Sequence, residues 1–292
     1  MGWTVLGLSA AGVLAASCAL NAGAIVYVTG DGGEIGADGA PNGGDSSTPD
    51  GVAPIEGGEP SEGGPPVLVG PCYDDQVQLD AGFCIDKTEV TNAKFVTFLQ
   101  AVGNDAGAVP VCAGQNILVT GDGADLFTHG ENPVRNVSWC AAAAYCEWAG
   151  KRLCGTIADG GGFATSDPNF KDAAASEWDF ACTANGANVY PYGKDYVATA
   201  CNGNDANNKA PVAVGSETAC TGGYPGLVDM SGNVWEWVNA CDNANGNTNC
   251  KLRGGGFNAG GPQMNCNADT GGNRQNQAQS PDFGVRCCSN PK

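Results

Sequence analysis

The sequence is poor in positive charge. Only 13 of its 292 residues are Lys or Arg, against 31 Asp or Glu, giving a net charge of −18, and no Lys or Arg precedes Lys87. Nucleic acid is excluded as a partner, because no basic stripe is available to neutralise phosphates. The acidic balance reads first as solubility. Histidine is almost absent: His129 stands alone beside Gly130-Glu131. One imidazole cannot build a multi-histidine iron centre, and it leaves little room for a Ser-His or Cys-His nucleophile pair. A lone loop histidine of this kind is expected to be exposed. Cys-x-x-Cys pairs are also missing, which removes zinc-ribbon and iron–sulfur chemistry. No internal repeat is present.

Cysteine itself is abundant. Fifteen cysteines in 292 residues point to disulfides and to an oxidising, extracytoplasmic compartment, since reducing compartments do not keep so many pairs oxidised. Residues 3–28 carry no charged side chain and are mostly small or apolar. Three readings of this run stay open. Leu14-Ala15-Ala16-Ser17-Cys18 resembles a relaxed bacterial lipobox, with Cys18 as the lipidated first residue of the mature chain. Ala22-Gly23-Ala24 is an alternative cleavage site. The run also has the roughly 20-residue length of an uncleaved membrane anchor. All three lack a positive n-region, which raises the expectation of an incomplete amino terminus. Without Cys18, fourteen cysteines remain, an even number that can pair completely.

The chain then divides by composition. Residues 29–70 hold eight acidic residues and no basic one among Gly, Pro, Ser and Ala, and are expected to form a disordered, self-repelling tether. Residues 71–288 bring aromatics, aliphatics and cysteines, enough for one core. Thr91 is expected to cap a helix with Phe95, Phe98, Leu99 and Val102 on one face, at i, i+3, i+4 and i+7. Ser138 caps a second helix running to Trp148 and ended by Gly150. Ser176 starts a shorter third, with Trp178, Phe180 and Ala181. Short strands are expected at 83–85, 211–214, 234–238 and 285–287. Asp86, Glu89 and Asn92 read as capping and orienting the first helix. Trp139, Trp148, Trp178, Trp235 and Trp237 read as core packing rather than a sugar-stacking platform.

The stretch Gly226-Leu227-Val228-Asp229-Met230-Ser231-Gly232-Asn233-Val234-Trp235-Glu236-Trp237 is too particular for a generic strand. It closely resembles the signature of the formylglycine-generating enzyme, or sulfatase-modifying factor, family. Further blocks follow in the family's order: Ile85 to Asn92, Pro133-Val134, Val137-Ser138-Trp139, Ala144 to Leu153, Ser176-Glu177-Trp178, Tyr190-Pro191-Tyr192-Gly193, Arg253 to Phe257, and Gly284-Val285-Arg286-Cys287. The segment 155–175 separates two blocks that are usually contiguous and is expected to be a surface loop.

The resemblance implies an α+β, loop-rich variant of the C-type-lectin-like fold, stapled by disulfides. It also implies a chemistry that this chain has lost. The family's oxidase binds copper(I) through two cysteines spaced i and i+5, just after an Arg-Gly-Gly-Ser-Trp motif, because copper(I) prefers soft thiolates. Here the serine position is Gly256, the first cysteine position is Ala259, and the second is Met264. Copper and oxidase activity are therefore not expected. The family's two structural bridges would be Cys146–Cys287 and Cys182–Cys266. Cys72–Cys84, Cys201–Cys220 and Cys241–Cys250 are candidate local pairs, leaving Cys112, Cys140, Cys154 and Cys288 to pair among themselves. Family calcium sites would use Asn233 and Glu236, and a second set Asn202 with Asp205; alternatively Asn233 and Glu236 satisfy loop backbone groups. The expected function is a non-catalytic, membrane-tethered module that binds an extracytoplasmic protein or glycan. An oxidoreductase with a relocated, thiol-based site and a purely structural surface protein remain the alternatives.

Overall fold

The computed structural model describes residues 71–103, 112, 117, 119, 123–242, 248–269, 274–275 and 278–292. The expected leader 1–28, with Cys18, and the expected tether 29–70 lie outside them. No helix among the described residues is long and apolar enough to cross a membrane.

Twelve regular elements organise the described chain into two small sheets and four helices, an α+β architecture. In chain order they are β1 (Gln76–Gln78), β2 (Cys84–Asp86), α1 (Asn92–Val102), α2 (Gly123–Thr128), α3 (Trp139–Trp148) and β3 (Arg152–Leu153). They continue with α4 (Glu177–Thr183), β4 (Trp235–Cys241), β5 (Asn249–Arg253), β6 (Arg274–Gln275), β7 (Phe283–Val285) and β8 (Cys287–Ser289). One sheet runs β1-β2-β8-β3, all antiparallel; the other runs β6-β5-β4-β7, with β4 and β7 parallel.

The three expected helices form where their caps stand. Thr91, Ser138 and Ser176 each lie in extended backbone and accept a bond from the amide three residues on, Lys94, Ala141 and Asp179, so one orphan N–H of each first turn is satisfied. Phe95, Phe98 and Leu99 are buried on α1 as the periodicity predicts. Phe95 stacks on Tyr145 of α3 at 5.6 Å, and Phe98 meets the same ring edge-on. Trp237 and Trp139 donate their indole N–H groups to the carbonyls of Val137 and Val238, so two large rings are buried without an unpaired donor.

Several expectations need correction. The strand expected at 285–287 is two strands: β7 and β8 belong to different sheets, and Arg286 is the single residue between them. Its guanidinium must turn into the protein to reach its partners, which breaks the ladder. No strand forms at 211–214, because the amides there are taken by other groups: Val212 N donates to the Asn233 side chain and Val214 N to the Glu131 carbonyl. The segment 155–175 is no surface loop. Phe163 and Phe170 are buried and pack edge-to-face, and Phe163 exchanges backbone bonds with Asn239 and Cys241 alongside β4. Glu177 pins its base, accepting both Arg152 guanidinium nitrogens at 2.6 and 2.7 Å and the Gly155 amide. Trp148 is not core: 40% of it is exposed.

All fourteen described cysteines are paired. The two bridges implied by the family, Cys146–Cys287 and Cys182–Cys266, are present, as are Cys72–Cys84, Cys201–Cys220 and Cys241–Cys250. The remaining four form Cys112–Cys140 and Cys154–Cys288. Bridges closing loops of 141, 134 and 84 residues each restrict the unfolded chain by roughly 4.5–5 kcal/mol in the loop-entropy account, with shared loops making the sum smaller. Seven disulfides fit an oxidising extracytoplasmic environment.

Candidate functional site

The loop that follows β5 holds Gly256, Ala259 and Met264, the positions that the sequence resemblance singles out. Arg253 ends the strand fully buried. It pairs with Asp179, donates to the carbonyl of Phe170 at 2.6 Å, and lies 4.1 Å above the Phe170 ring. Burial of both charges decides their balance. The Asp179 carboxyl is pushed up to about 6 by desolvation, which Arg253 only partly offsets, and the guanidinium is lowered by its own burial. A carboxyl raised in the folded state adds stability that is complete below its unfolded value near 3.8 and is lost as pH rises through about 6. The unfolding free energy is therefore expected to fall by about 2–3 kcal/mol between pH 4 and 7.5 from this group. Asp179→Asn should flatten that slope in urea titrations; stability rising with pH, or an unchanged slope, contradicts the assignment.

Beyond Arg253 the chain turns sharply, with Gly254 and Gly255 at φ 91° and 78°, conformations that glycine adopts without strain. A Cβ on Gly256 would come 3.0 Å from Asp282 Cβ and 3.1 Å from Trp235 Cδ1, so a side chain here forces its neighbours to move. Ala259 and Met264 are each 2% exposed. The Met264 thioether is packed on backbone: Cβ atoms placed on Gly203, Gly232 and Gly255 would meet its Sδ or Cε within 3.2 Å. The two positions that the resemblance assigns to the copper pair are thus filled by a methyl and a thioether, both buried, and no described cysteine is a free thiol.

Asn233 is the hub of a second buried group. It sits at φ 58°, a left-handed conformation that asparagine tolerates better than most residues. Its Oδ1 accepts from Asn202 Nδ2 at 3.0 Å and Val212 N at 2.9 Å, and its Nδ2 donates to Glu89 at 2.8 Å and to the Val212 carbonyl. Asn202 Oδ1 accepts from Asn208. Glu236 faces elsewhere, accepting Arg286 Nε at 2.9 Å and Trp178 Nε1 at 2.6 Å. Asp205 accepts the Tyr196 hydroxyl at 2.7 Å at the surface. Asn202 and Asn233 are therefore brought together, while Glu236 and Asp205 are not. The oxygens of both asparagines and of Glu236 are committed to N–H donors, the loop-satisfying arrangement, and they do not fit a cage of free oxygens around calcium.

Sequence reasoning missed what Glu89, Asp86 and Arg286 do. Glu89 does not cap α1; it accepts Val234 N at 3.0 Å and Asn233 Nδ2, joining segments some 145 residues apart. Asp86 holds Lys151 at 2.7 Å and the Cys287 amide, and Asn92 ties α1 to the carbonyls of Asp125 and His129. Arg286 also donates to the carbonyls of Asp86 and Val228. Glu89 is driven well above the usual carboxylate range by burial and by the nearby charges of Asp229 and Glu236. Burial alone would lower Arg286, but Glu236 and Glu89 outweigh it and hold it raised. The signal available in the sequence was the arginine inside an apolar strand block, which demands buried carboxylates. His129 is exposed as expected and pairs with Asp125 at 2.8 Å. The grouping of Cys154, Cys288 and Glu177 offers no metal site, since the two sulfurs are bonded to each other and Glu177 is held by Arg152.

Among the described residues, two clefts open on the surface. One, of about 340 Å³, runs between Tyr192 and Tyr224 over a floor of Gly222 and Gly223. The other, of about 290 Å³, lies between α1 and the end of α3 and is lined by Tyr73, Asp75, Lys94, Thr97, Trp148 and Lys151 among others.

The model of the sulfatase-modifying factor enzyme 1-like domain, FGE-sulfatase, matches residues 41–291. The chain belongs to this family. Among its relatives, the formylglycine-generating enzyme of Streptomyces coelicolor is 30% identical over 189 residues, 53% of this chain and 56% of that protein. The inactive C-alpha-formylglycine-generating enzyme 2 of Bos taurus is 31% identical over 129 residues, 40% of this chain and 36% of its own length. The serine/threonine-protein kinase Pkn1 of Chlamydia trachomatis is 27% identical over 173 residues, 53% of this chain and 22% of the kinase. The chain thus spans well under two thirds of these family relatives. Among solved structures, CarF superposes with a TM-score of 0.47 at 19% identity, covering 77% of this chain and 95% of CarF.

Proposed function

We propose that this protein is a non-catalytic, exported and tethered member of the sulfatase-modifying factor family that binds an extracytoplasmic protein or glycan. The observation that carries the reading is the state of its sulfur. Every described cysteine is consumed by a disulfide, and the positions of the family's copper thiolates hold buried Ala259 and Met264. A lone buried thioether is a poor substitute for two thiolates. The acidic residues 29–70 and the apolar run before them support a tether and an export signal, with Cys18 as the lipidated residue.

Copper(I) titration followed by incubation with a cysteine peptide under oxygen tests this. No tight stoichiometric copper site and no formylglycine in the peptide are expected; turnover would overturn the reading. The rival, a thiol-based oxidoreductase with a relocated site, predicts a reactive thiol. Denaturing thiol titration without reduction should find none among the fourteen cysteines from Cys72 to Cys288, and intact mass of the same sample reads whether Cys18 carries lipid.

A further inference from the structure

We propose that the cleft between Tyr73 and Trp148 is a binding site for a neutral pyranose glycan. The inference rests on the reading of the chain as a binding module and gives that module a ligand class and a place.

Trp148 is the last residue of α3 and the only one of the five tryptophans read as core that is exposed. Its indole meets the tilted rings of Phe98 at 5.6 Å and Tyr145 at 6.0 Å. The ring is thus anchored among aromatic neighbours while 40% of the residue stays exposed beside the cleft it lines. The positive CH groups on a pyranose face suit such an aromatic surface, and burying them against it removes apolar area from water without trapping hydroxyls.

The polar wall beside the shelf has donors and an acceptor in mutual balance. Asp75 lies 2.8 Å from both Lys94 and Lys151, and Lys151 also pairs with the buried Asp86 at 2.7 Å. Lys292 stands 3.6 Å above the Tyr73 ring, and Lys87 donates to the Asp74 carbonyl. Four of the chain's eight lysines thus converge on residues 73–75, although the protein as a whole carries −18. Only Lys94 and Lys151 of these four line the cleft, and their two charges are balanced by Asp75 and Asp86, so the cleft offers strong hydrogen-bonding groups with little net charge. Lys94 and Asp75 keep 43% and 38% of their side chains exposed, leaving an ammonium donor and a carboxylate acceptor side by side, a pairing that suits adjacent sugar hydroxyls. The net charge of −18 over the whole chain disfavours an anionic sugar. A volume of about 290 Å³ admits one or two rings and is at the small end for ligand pockets. Thr97 closes the α1 side, its hydroxyl already donating to the Ala93 carbonyl.

The test uses the full, disulfide-intact chain and tryptophan fluorescence, with maltotriose, chitotriose and mannotriose as neutral probes, trigalacturonate as the acidic probe, and a neutral decapeptide. At least one neutral trisaccharide should bind in the micromolar to low millimolar range, and trigalacturonate about fivefold or more weakly. Trp148→Ala should weaken binding about tenfold or more, and Thr97→Phe, an exposed substitution that fills the cleft, should abolish it. Thr97→Phe leaves the core untouched and remains informative if Trp148→Ala folds poorly. No neutral sugar bound, binding unchanged in Thr97→Phe, or preference for trigalacturonate or the peptide each overturns the proposal. Copper-dependent turnover by a chain that still binds sugar refutes the non-catalytic reading alone; absence of both turnover and sugar binding refutes only the glycan site.

Discussion

Arg286→Met is expected to lower the unfolding free energy by about 3–5 kcal/mol, the range for removing one partner of a buried charge cluster. The guanidinium is fully buried. Its loss strips Glu236 of the Nε bond and leaves the carbonyls of Asp86 and Val228 without their donors. Glu89 and Asp229 lose the one cation of their neighbourhood. Methionine matches the volume and keeps the packing, so the deficit reads the charge rather than a cavity. The effect has a pH signature. Glu89, Glu236 and Asp229 are already raised by burial, and without Arg286 they rise further. Protonation relieves them, so the deficit of the variant should shrink as pH falls from 7.5 to 4.5. Guanidinium titrations of disulfide-intact protein at the two pH values measure both numbers; a deficit under about 1 kcal/mol, or one that grows in acid, contradicts the assignment of Arg286 as the neutralising centre.

The second large effect is a gain. Ala259→Cys with Met264→Cys is expected to raise copper(I) affinity by roughly a thousandfold or more, about 4 kcal/mol, over the unaltered chain. The scaffold still brings these positions together, since Ala259 Cβ and Met264 Sδ both lie within 3.3 Å of one point, the Cβ position of Gly255. The smaller side chain at 264 also opens the space that the thioether fills against Gly203 and Gly232. Titration against a competing copper(I) chelator reads the gain, after mass spectrometry has established that the seven native bridges are intact and the two new thiols free. Oxidase turnover is not expected from this pair alone, because a Cβ at position 256 would come 3.0–3.1 Å from Asp282 and Trp235, which leaves a serine no room without rearrangement. Unchanged affinity would show that the loop has lost the geometry as well as the ligands.

Legibility in the sequence followed the range of each signal. Thr91, Ser138 and Ser176 announce their helices because a cap acts within three residues. The bridges to Cys287 and Cys266 were readable only through the family resemblance, as no local pattern couples residues so far apart. Arg286 shows the limit of local reading. Val285 and Cys287 alternate like one strand, yet the residue between them is committed to Glu236, Asp86 and Val228 on other segments. Glu89 misled for the same reason: standing two residues before a cap, it looks like capping chemistry, but its partners are Asn233 and Val234. Phe163 and Phe170 lie in a Gly- and Asp-rich stretch whose composition announces a loop, and only the groove beside β4 makes them core. Trp148 failed in the opposite direction. Its place at the end of a buried helix suggests interior, while the turn after it leaves the ring outside.

The adjacent Cys287 and Cys288 also set the order in which the protein can mature. Their strand lies between β2 and β3, in the interior of its sheet, and its two sulfurs are the partners of Cys146 and Cys154. In an oxidising compartment Cys146 and Cys154 appear before their partners, eight positions apart, with Cys140 a further six positions before Cys146. Their native partners follow 141 and 134 residues later, a delay on the order of ten seconds at ordinary synthesis rates. Oxidation as the chain emerges therefore favours wrong local bridges among Cys140, Cys146 and Cys154, and the native sheet closes only after such a bridge is reshuffled. Yield of this protein should consequently depend on thiol–disulfide isomerisation more than on the speed of oxidation.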